Sequence, residues 1–108
     1  MNGQTPQEVT QWITANDLCL AIFTTPDCGV CNAIKPKVAE LAGHYPTLQV
    51  RYLDISDSPE LAGAHNVFVV PVLVLFVQRR EAVRFARYFG MHELESAVDR
   101  YASLLDDT

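Results

Sequence analysis

The chain has 108 residues, of which 49% are hydrophobic and 19% charged, with a formal net charge of -5 at pH 7. That length suits one domain around one core, residues 1–108, with no room for a second, and the composition is globular rather than disordered. The acidic balance argues against non-specific binding to nucleic acid or to an anionic membrane, and no apolar run approaches the roughly 20 residues of a membrane span.

Met1 to Gln11 lacks the basic segment and apolar run of a secretory signal, so a cytoplasmic location is expected. Thr5, Pro6 and Glu8 have the pattern of a helix start: a cap, a proline in the first turn and a carboxylate that closes a capping box. Val9, Trp12 and Ile13 then share a helical face, with Trp12 as the expected core anchor, and the helix should end near Asn16 and Asp17. Leu18 to Thr24 is a continuous apolar run, which predicts a strand covered on both faces. Cys19 lies inside it and is expected to behave as a small buried hydrophobe.

Thr25-Pro26-Asp27 breaks that strand, and Cys28 to Ala42 reads as a helix with Val30, Ala33, Ile34, Val38, Leu41 and Ala42 as its apolar stripe and Gly43 as its C-cap. Pro36 removes the N–H that would bond to the carbonyl of Asn32, which predicts a kink beyond the cysteines. Cys28 and Cys31 stand where strand gives way to helix. A thiol at the first turn faces unpaired backbone N–H groups and the positive end of the helix dipole, and both favour thiolate. A second thiol less than one turn away can attack a mixed disulfide formed by the first. Three cysteines, an odd number in a reducing compartment, are not a disulfide framework, so the close pair points to catalysis or metal binding.

Leu48 to Ile55 predicts a further strand, and Asp57-Ser58-Pro59-Glu60 opens a short helix that runs out near Ala64. Val67 to Val77 is strongly apolar. Pro71 cannot sit within a central ladder, so the strand proper is Val72 to Val77. Gln78 to Glu81 is expected as a polar turn and Ala82 to Tyr88 as the returning hairpin strand, with Arg79, Arg80, Arg84 and Arg87 solubilising an exposed edge. After Gly90, Leu94, Val98, Tyr101, Ala102 and Leu105 recur at helical spacing, followed by the acidic end Asp106-Asp107-Thr108. The element order implies an α/β fold with a mixed central sheet of about four strands and helices on both faces.

These features resemble the thioredoxin family along essentially the whole chain. Cys28-Gly29-Val30-Cys31 resembles the family's active-site C-G-x-C, Pro36 matches the proline that kinks the active-site helix, and Val70-Pro71 matches the cis-proline loop. The resemblance implies a thioredoxin-like fold and a thiol-disulfide oxidoreductase, active in electron transport and cell redox homeostasis. Cys28 would be the nucleophile and Cys31 the resolving thiol, with Gly29, Val30, Val70 and a cis Pro71 forming the substrate surface. The redox-active group would be the Cys28–Cys31 disulfide itself, with no other cofactor. Implied partners are protein or small-molecule disulfides as substrates and a thioredoxin reductase or a low-molecular-weight thiol as electron donor, with no nucleic acid or membrane partner; a monomer is expected.

The pattern also departs from the family. Asp27 and Val30 replace the usual tryptophan and proline, Ile22 and Tyr52 the usual buried aspartate and its lysine, and Thr24 a further tryptophan. Asp27 should oppose the dipole's effect on Cys28. Without the aspartate, the usual proton acceptor for Cys31 is missing. The groove-lining glycine past the last strand has no match, since Gly90 lies about three positions late.

Two other functions fit parts of the pattern. One is a binding module or redox sensor that keeps the fold without turnover. The other is a dithiol for a metal or an iron–sulfur cluster, because the Cys31-to-His44 spacing is that of a zinc module, although no histidine follows at the required distance and His65 comes next. His44, His65 and His92 are expected as surface or turn residues.

Overall fold

The computed structural model describes residues 5–106; residues 1–4 of the N-terminal stretch and 107–108 of the acidic end lie outside the described residues. In chain order the elements are α1 (Pro6–Ala15), β1 (Leu18–Thr24), α2 (Gly29–Gly43), β2 (Gln49–Asp54), α3 (Pro59–Ala64), β3 (Val72–Val77), β4 (Arg80–Ala86) and α4 (Met91–Asp106). The strands form one mixed sheet in the order β2-β1-β3-β4; β1 and β2 are parallel, and the other two pairings are antiparallel.

Period-two alternation along β1 divides the core. Leu18, Leu20 and Ile22 face α2 and α4, where they meet Ile34, Val38, Leu41, Leu94, Val98 and Ala102. Cys19, Ala21 and Phe23 face α1 and α3, where they meet Val9, Ile13 and Leu61. Helices thus cover both faces, which is why β1 reads as an unbroken apolar run. Each fully buried Leu, Ile or Phe contributes about 1.5–3 kcal/mol, so this strand is the least tolerant part of the frame that carries the site.

Local signals account for most boundaries. At α1 the Thr5 hydroxyl oxygen accepts from the Glu8 N–H at 3.1 Å, and the Glu8 carboxylate accepts from the Thr5 N–H at 3.3 Å. Trp12 is only partly buried: it packs at the margin of the α1 side of the core, and the Arg51 guanidinium lies 4.9 Å from its ring centre. It is therefore a rim residue and not the core anchor expected. In α2 the buried stripe is Cys31, Ile34, Val38 and Leu41, while Val30 and Ala33 are exposed. Ile34, Val38 and Leu41 are buried and Ala42 partly so, as expected; Val30 and Ala33 differ because Cys28 caps the helix and Cys31 is the first residue to face the core. Gly43 is the last helical residue and His44 the cap, with the His44 and Tyr45 N–H groups reaching back to Leu41 and Ala42 at 3.0 and 3.2 Å.

The hairpin differs from expectation in register. Gln78 and Arg79 have φ of 50° and 74°, and Val77 pairs with Arg80, so the turn is a tight two-residue one and β4 starts at Arg80 rather than at Ala82. Positive φ at both central residues matches the twist of the flanking strands. No Asn or Gly marks the turn, so its position was not legible. As expected, β4 is an edge strand and Arg79, Arg80 and Arg87 are exposed. Arg84 differs from these three, because it donates to the carbonyls of His65 and Asn66 at 2.8 and 3.2 Å and pairs with Glu81. It thereby fastens the edge strand to the end of α3. No helix among the described residues is long and apolar enough to cross a membrane.

Candidate active site

The break after β1 places the two thiols. The Cys28 N–H donates to the Thr25 carbonyl at 3.2 Å, and the Cys28 carbonyl accepts from the Asn32 N–H at 3.1 Å, the first bond of α2. Cys28 is the N-cap, with extended backbone, and its Sγ accepts from the Cys31 N–H at 3.1 Å. Cys28 and Cys31 are joined in a disulfide, with Cα atoms 5.2 Å apart. Cys28 is partly exposed, whereas Cys31 is fully buried. One sulfur therefore meets solvent at a helix N-terminus, where an N–H and the dipole favour its anion, and the other is screened behind it.

Sheet register brings the other candidates to the same end of the molecule. Phe23 near the end of β1, Val72 at the start of β3 and Ala86 at the end of β4 lie side by side in one row. The cysteine loop, Pro71 and the residue after β4 therefore emerge together. The Val70–Pro71 bond is cis, as the resemblance implied, and Pro71 is buried while Val70 is partly buried. The backbone groups of Phe68, Val69 and Val70 form no hydrogen bond with any described residue. Val30, Val69 and Phe68 are 45, 47 and 84% exposed, which makes this end of the sheet apolar. A Cβ on Gly29 would meet no atom within 4 Å, so the glycine leaves the surface beside Cys28 uncovered.

Behind α2, Ile22 is fully buried and lies opposite Tyr52 in the parallel register. Burial pushes the Tyr52 hydroxyl above its ordinary pKa of 10.0, and the Lys35 ammonium sits 5.4 Å from its ring centre. Both line a cleft of about 270 Å³ together with Thr25, Asn32 and Asp54. The Asp54 carboxylate accepts from the Ser56 hydroxyl and N–H at 2.6 and 2.9 Å, which holds it below its ordinary pKa. Lys35 was not foreseen as a neighbour of this region; its place one helical turn after Cys31 was the available signal.

Cys19 stays a free, buried thiol 3.9 Å from the carbonyls of Trp12 and Asn16, and burial pushes its pKa up to about 11, with Arg51 opposing the rise and Asp17 adding to it. His65 stands in the turn that ends α3, as expected, and its ring is partly buried between Phe23 and Phe76, 5.3 and 6.0 Å away. His44 caps the far end of α2, about 20 Å along the helix from Cys31, so the zinc-like spacing does not bring the two together. Among the described residues no three His, Cys, Asp or Glu side chains gather as metal ligands.

Three positions before Gly90, where the resemblance implies a groove-lining glycine, the structure has Arg87. This residue follows β4, has φ of 44°, and donates its N–H to the Pro71 carbonyl at 2.8 Å. An arginine gave no sequence signal for a position of that backbone shape; the hairpin register was needed to find it.

Comparison with known proteins agrees with this geometry. The thioredoxin family model matches residues 3–100. The thioredoxin-like protein YdfQ of Bacillus subtilis is 29% identical over 98 residues, covering 91% of this chain and 88% of its own. The thioredoxin of Chlamydia trachomatis is 33% identical over 84 residues, covering 78% and 79%. Among solved structures, thioredoxin from Fasciola hepatica superposes with a TM-score of 0.83 at 26% identity, covering 92% of this chain and 96% of that one. A mutant thioredoxin from Halobacterium salinarum gives the same TM-score at 28% identity, covering 92% and 87%.

Proposed function

This chain belongs to the thioredoxin family and is a thiol-disulfide oxidoreductase, and from that premise we propose that Cys28 is its attacking thiolate and Cys31 its resolving thiol. The observation that carries the assignment is the asymmetry of the pair: Cys28 is accessible and accepts the Cys31 N–H at the helix start, whereas Cys31 is buried.

In the reduced protein, the Cys28 thiolate attacks one sulfur of a substrate disulfide. A Cys28–substrate disulfide forms and the other substrate sulfur leaves as a thiolate. Cys31, once deprotonated, then attacks the Cys28 sulfur; the Cys28–Cys31 disulfide forms and the second substrate thiolate departs. Two electrons pass from the dithiol to the substrate, and the two released thiolates take up the two protons that the dithiol gave to solvent. Ile22 and Tyr52 stand where the resemblance implies an acid and its lysine, so the Cys31 proton goes to water or to another base. Gly29, Val30, Val70 and Pro71 form the surface that receives the substrate, whose extended backbone pairs with Val70 as an added strand.

The chemistry needs only the dithiol as redox group. The substrates are protein disulfides, and the electrons come from a thioredoxin reductase or a low-molecular-weight thiol. A monomeric, single-domain, cytoplasmic protein serving cell redox homeostasis suits this role. Reduction of insulin disulfides by the wild type and by Cys28→Ser tests the assignment: the wild type should be active and the variant inactive, and equal rates would refute it.

A further inference from the structure

Arg87 is a cation whose backbone the fold ties directly to the cis-proline segment. Its N–H is tied to the Pro71 carbonyl, and the Tyr88 N–H turns back to Ala86, so the backbone is locked around it. A φ of 44° is uncommon for a residue with a side chain. The other positive-φ residues have local reasons: Gln78 and Arg79 make the hairpin turn, and Asn66 is a residue type that favours this conformation. Arg87 is the central residue of the turn that the Tyr88 N–H closes on the Ala86 carbonyl, directly beside Pro71, and uncommon backbone of this kind gathers at binding surfaces.

The side chain is presented rather than used internally. Its guanidinium lies 5.3 Å from the ring centre of Tyr88, itself 83% exposed, and no described residue forms an ion pair with it. Across two strand spacings, about 10 Å, lies the cysteine loop with the exposed Asp27 anion. Between them run the exposed Phe68 and Val69 and the unpaired backbone of residues 68–70. The active end of this acidic chain is thus apolar in the middle, negative beside Cys28 and positive beside β4.

We propose that Arg87 is a specificity-determining residue that selects disulfides in extended, apolar protein segments carrying a carboxylate on the β4 side of the attacked cysteine. The inference rests on the oxidoreductase reading and adds the substrate class. A carboxylate placed there meets Arg87, and one placed over the cysteine loop meets Asp27, so charge sets the register in which the segment docks.

The test compares symmetrical disulfides of six short apolar peptides, each carrying Glu, Gln or Lys either two positions before or two positions after the cysteine. The reduced full-length protein is mixed with each, and the second-order rate constant for its oxidation is measured. On one of the two sides, the wild type should react about tenfold faster with the Glu than with the Lys peptide at low salt, and 1 M salt should nearly abolish the difference. Arg87→Gly, which suits the backbone at this position, should bring the ratio to about one, and Arg87→Glu should invert it. Arg79→Glu, the same charge change at the opposite end of β4, should leave the ratio within about twofold of wild type. An unchanged ratio in Arg87→Glu, or an equal change in Arg79→Glu, would overturn the inference alone. Faster reaction with oxidised glutathione than with the Glu peptide would overturn the assignment to a protein segment. No reaction with any peptide, the neutral ones included, would overturn the oxidoreductase reading and this inference with it.

Discussion

Replacing Arg84 by methionine keeps most of the aliphatic stem and removes the guanidinium that ties β4 to the end of α3. Two bonds to the carbonyls of His65 and Asn66, at 2.8 and 3.2 Å, are lost, together with a bidentate pair to Glu81 at 2.8 and 2.9 Å. The side chains of Arg84 and Glu81 are 27 and 41% exposed, so the ion pair contributes about 0.2–1 kcal/mol. Each carbonyl bond to the charged group contributes about 1 kcal/mol after discounting for solvent. The sum is about 2–3 kcal/mol, which for a domain of this size lowers Tm by about 10 °C. Urea unfolding at pH 7 should show the midpoint fall with an unchanged slope. Arg84→Lys should recover less than half of the loss, because an ammonium cannot reach the same partners as a planar fork. Since His65 and Asn66 lead into Val67 and the Val70–Pro71 bond, disulfide reduction should also slow. A loss below about 0.5 kcal/mol, the level of an ordinary surface substitution, would refute the role as a tie.

Cys19, with its pKa pushed up to about 11, should stay unlabelled when the reduced native protein is treated with iodoacetamide at pH 8, while Cys28 reacts; denaturant should then expose the third thiol, and comparable native labelling of Cys19 would contradict its burial. The imidazole of His65 is held below its ordinary pKa of 6.5, chiefly by burial and then by Arg84, with Glu81 opposing. Between 6.5 and that lower folded value the unfolded chain binds the proton more readily, so stability present above pH 6.5 is lost as pH falls through the window. The wild type should therefore lose more of its urea midpoint than His65→Gln between pH 7.5 and 5.5, and parallel losses would be inconsistent with this. Ile22→Asp, the acid that the family usually carries at this position, puts a carboxylate among Leu73, Tyr52 and the α2 side chains and should destabilise by about 3–5 kcal/mol near neutral pH. That cost should shrink as pH falls toward the raised carboxyl pKa; a cost below about 1 kcal/mol would mean that Lys35 reaches the new charge.

Much of the frame was readable because its signals are local. The Thr5 capping box, the unbroken run of β1 and the proline before β3 each follow from the chemistry of a few adjacent residues, and all three stand where expected. The dithiol was readable for the same reason, since cap and helix lie side by side in sequence. What escaped depends on contacts between distant segments. The start of the buried stripe of α2 turns on Cys31 rather than Val30 facing the core, and the hairpin turn uses Gln78 and Arg79 in a conformation that their identity does not advertise. Arg84 and Arg87 looked alike in sequence as charges on an edge; only the pairing of β3 with β4 gives one to the α3 end and the other to Pro71.

The central claim is that Cys28 attacks and Cys31 resolves, and trapping the mixed disulfide tests it most directly. Reduced Cys31→Ser and Cys28→Ser proteins are each mixed with a peptide disulfide, and intact mass is recorded with peptide mapping. Cys31→Ser should accumulate one peptide adduct on Cys28, and Cys28→Ser should accumulate none because its two remaining thiols, Cys19 and Cys31, are buried. An adduct that forms on Cys31 as fast as on Cys28 would contradict the account.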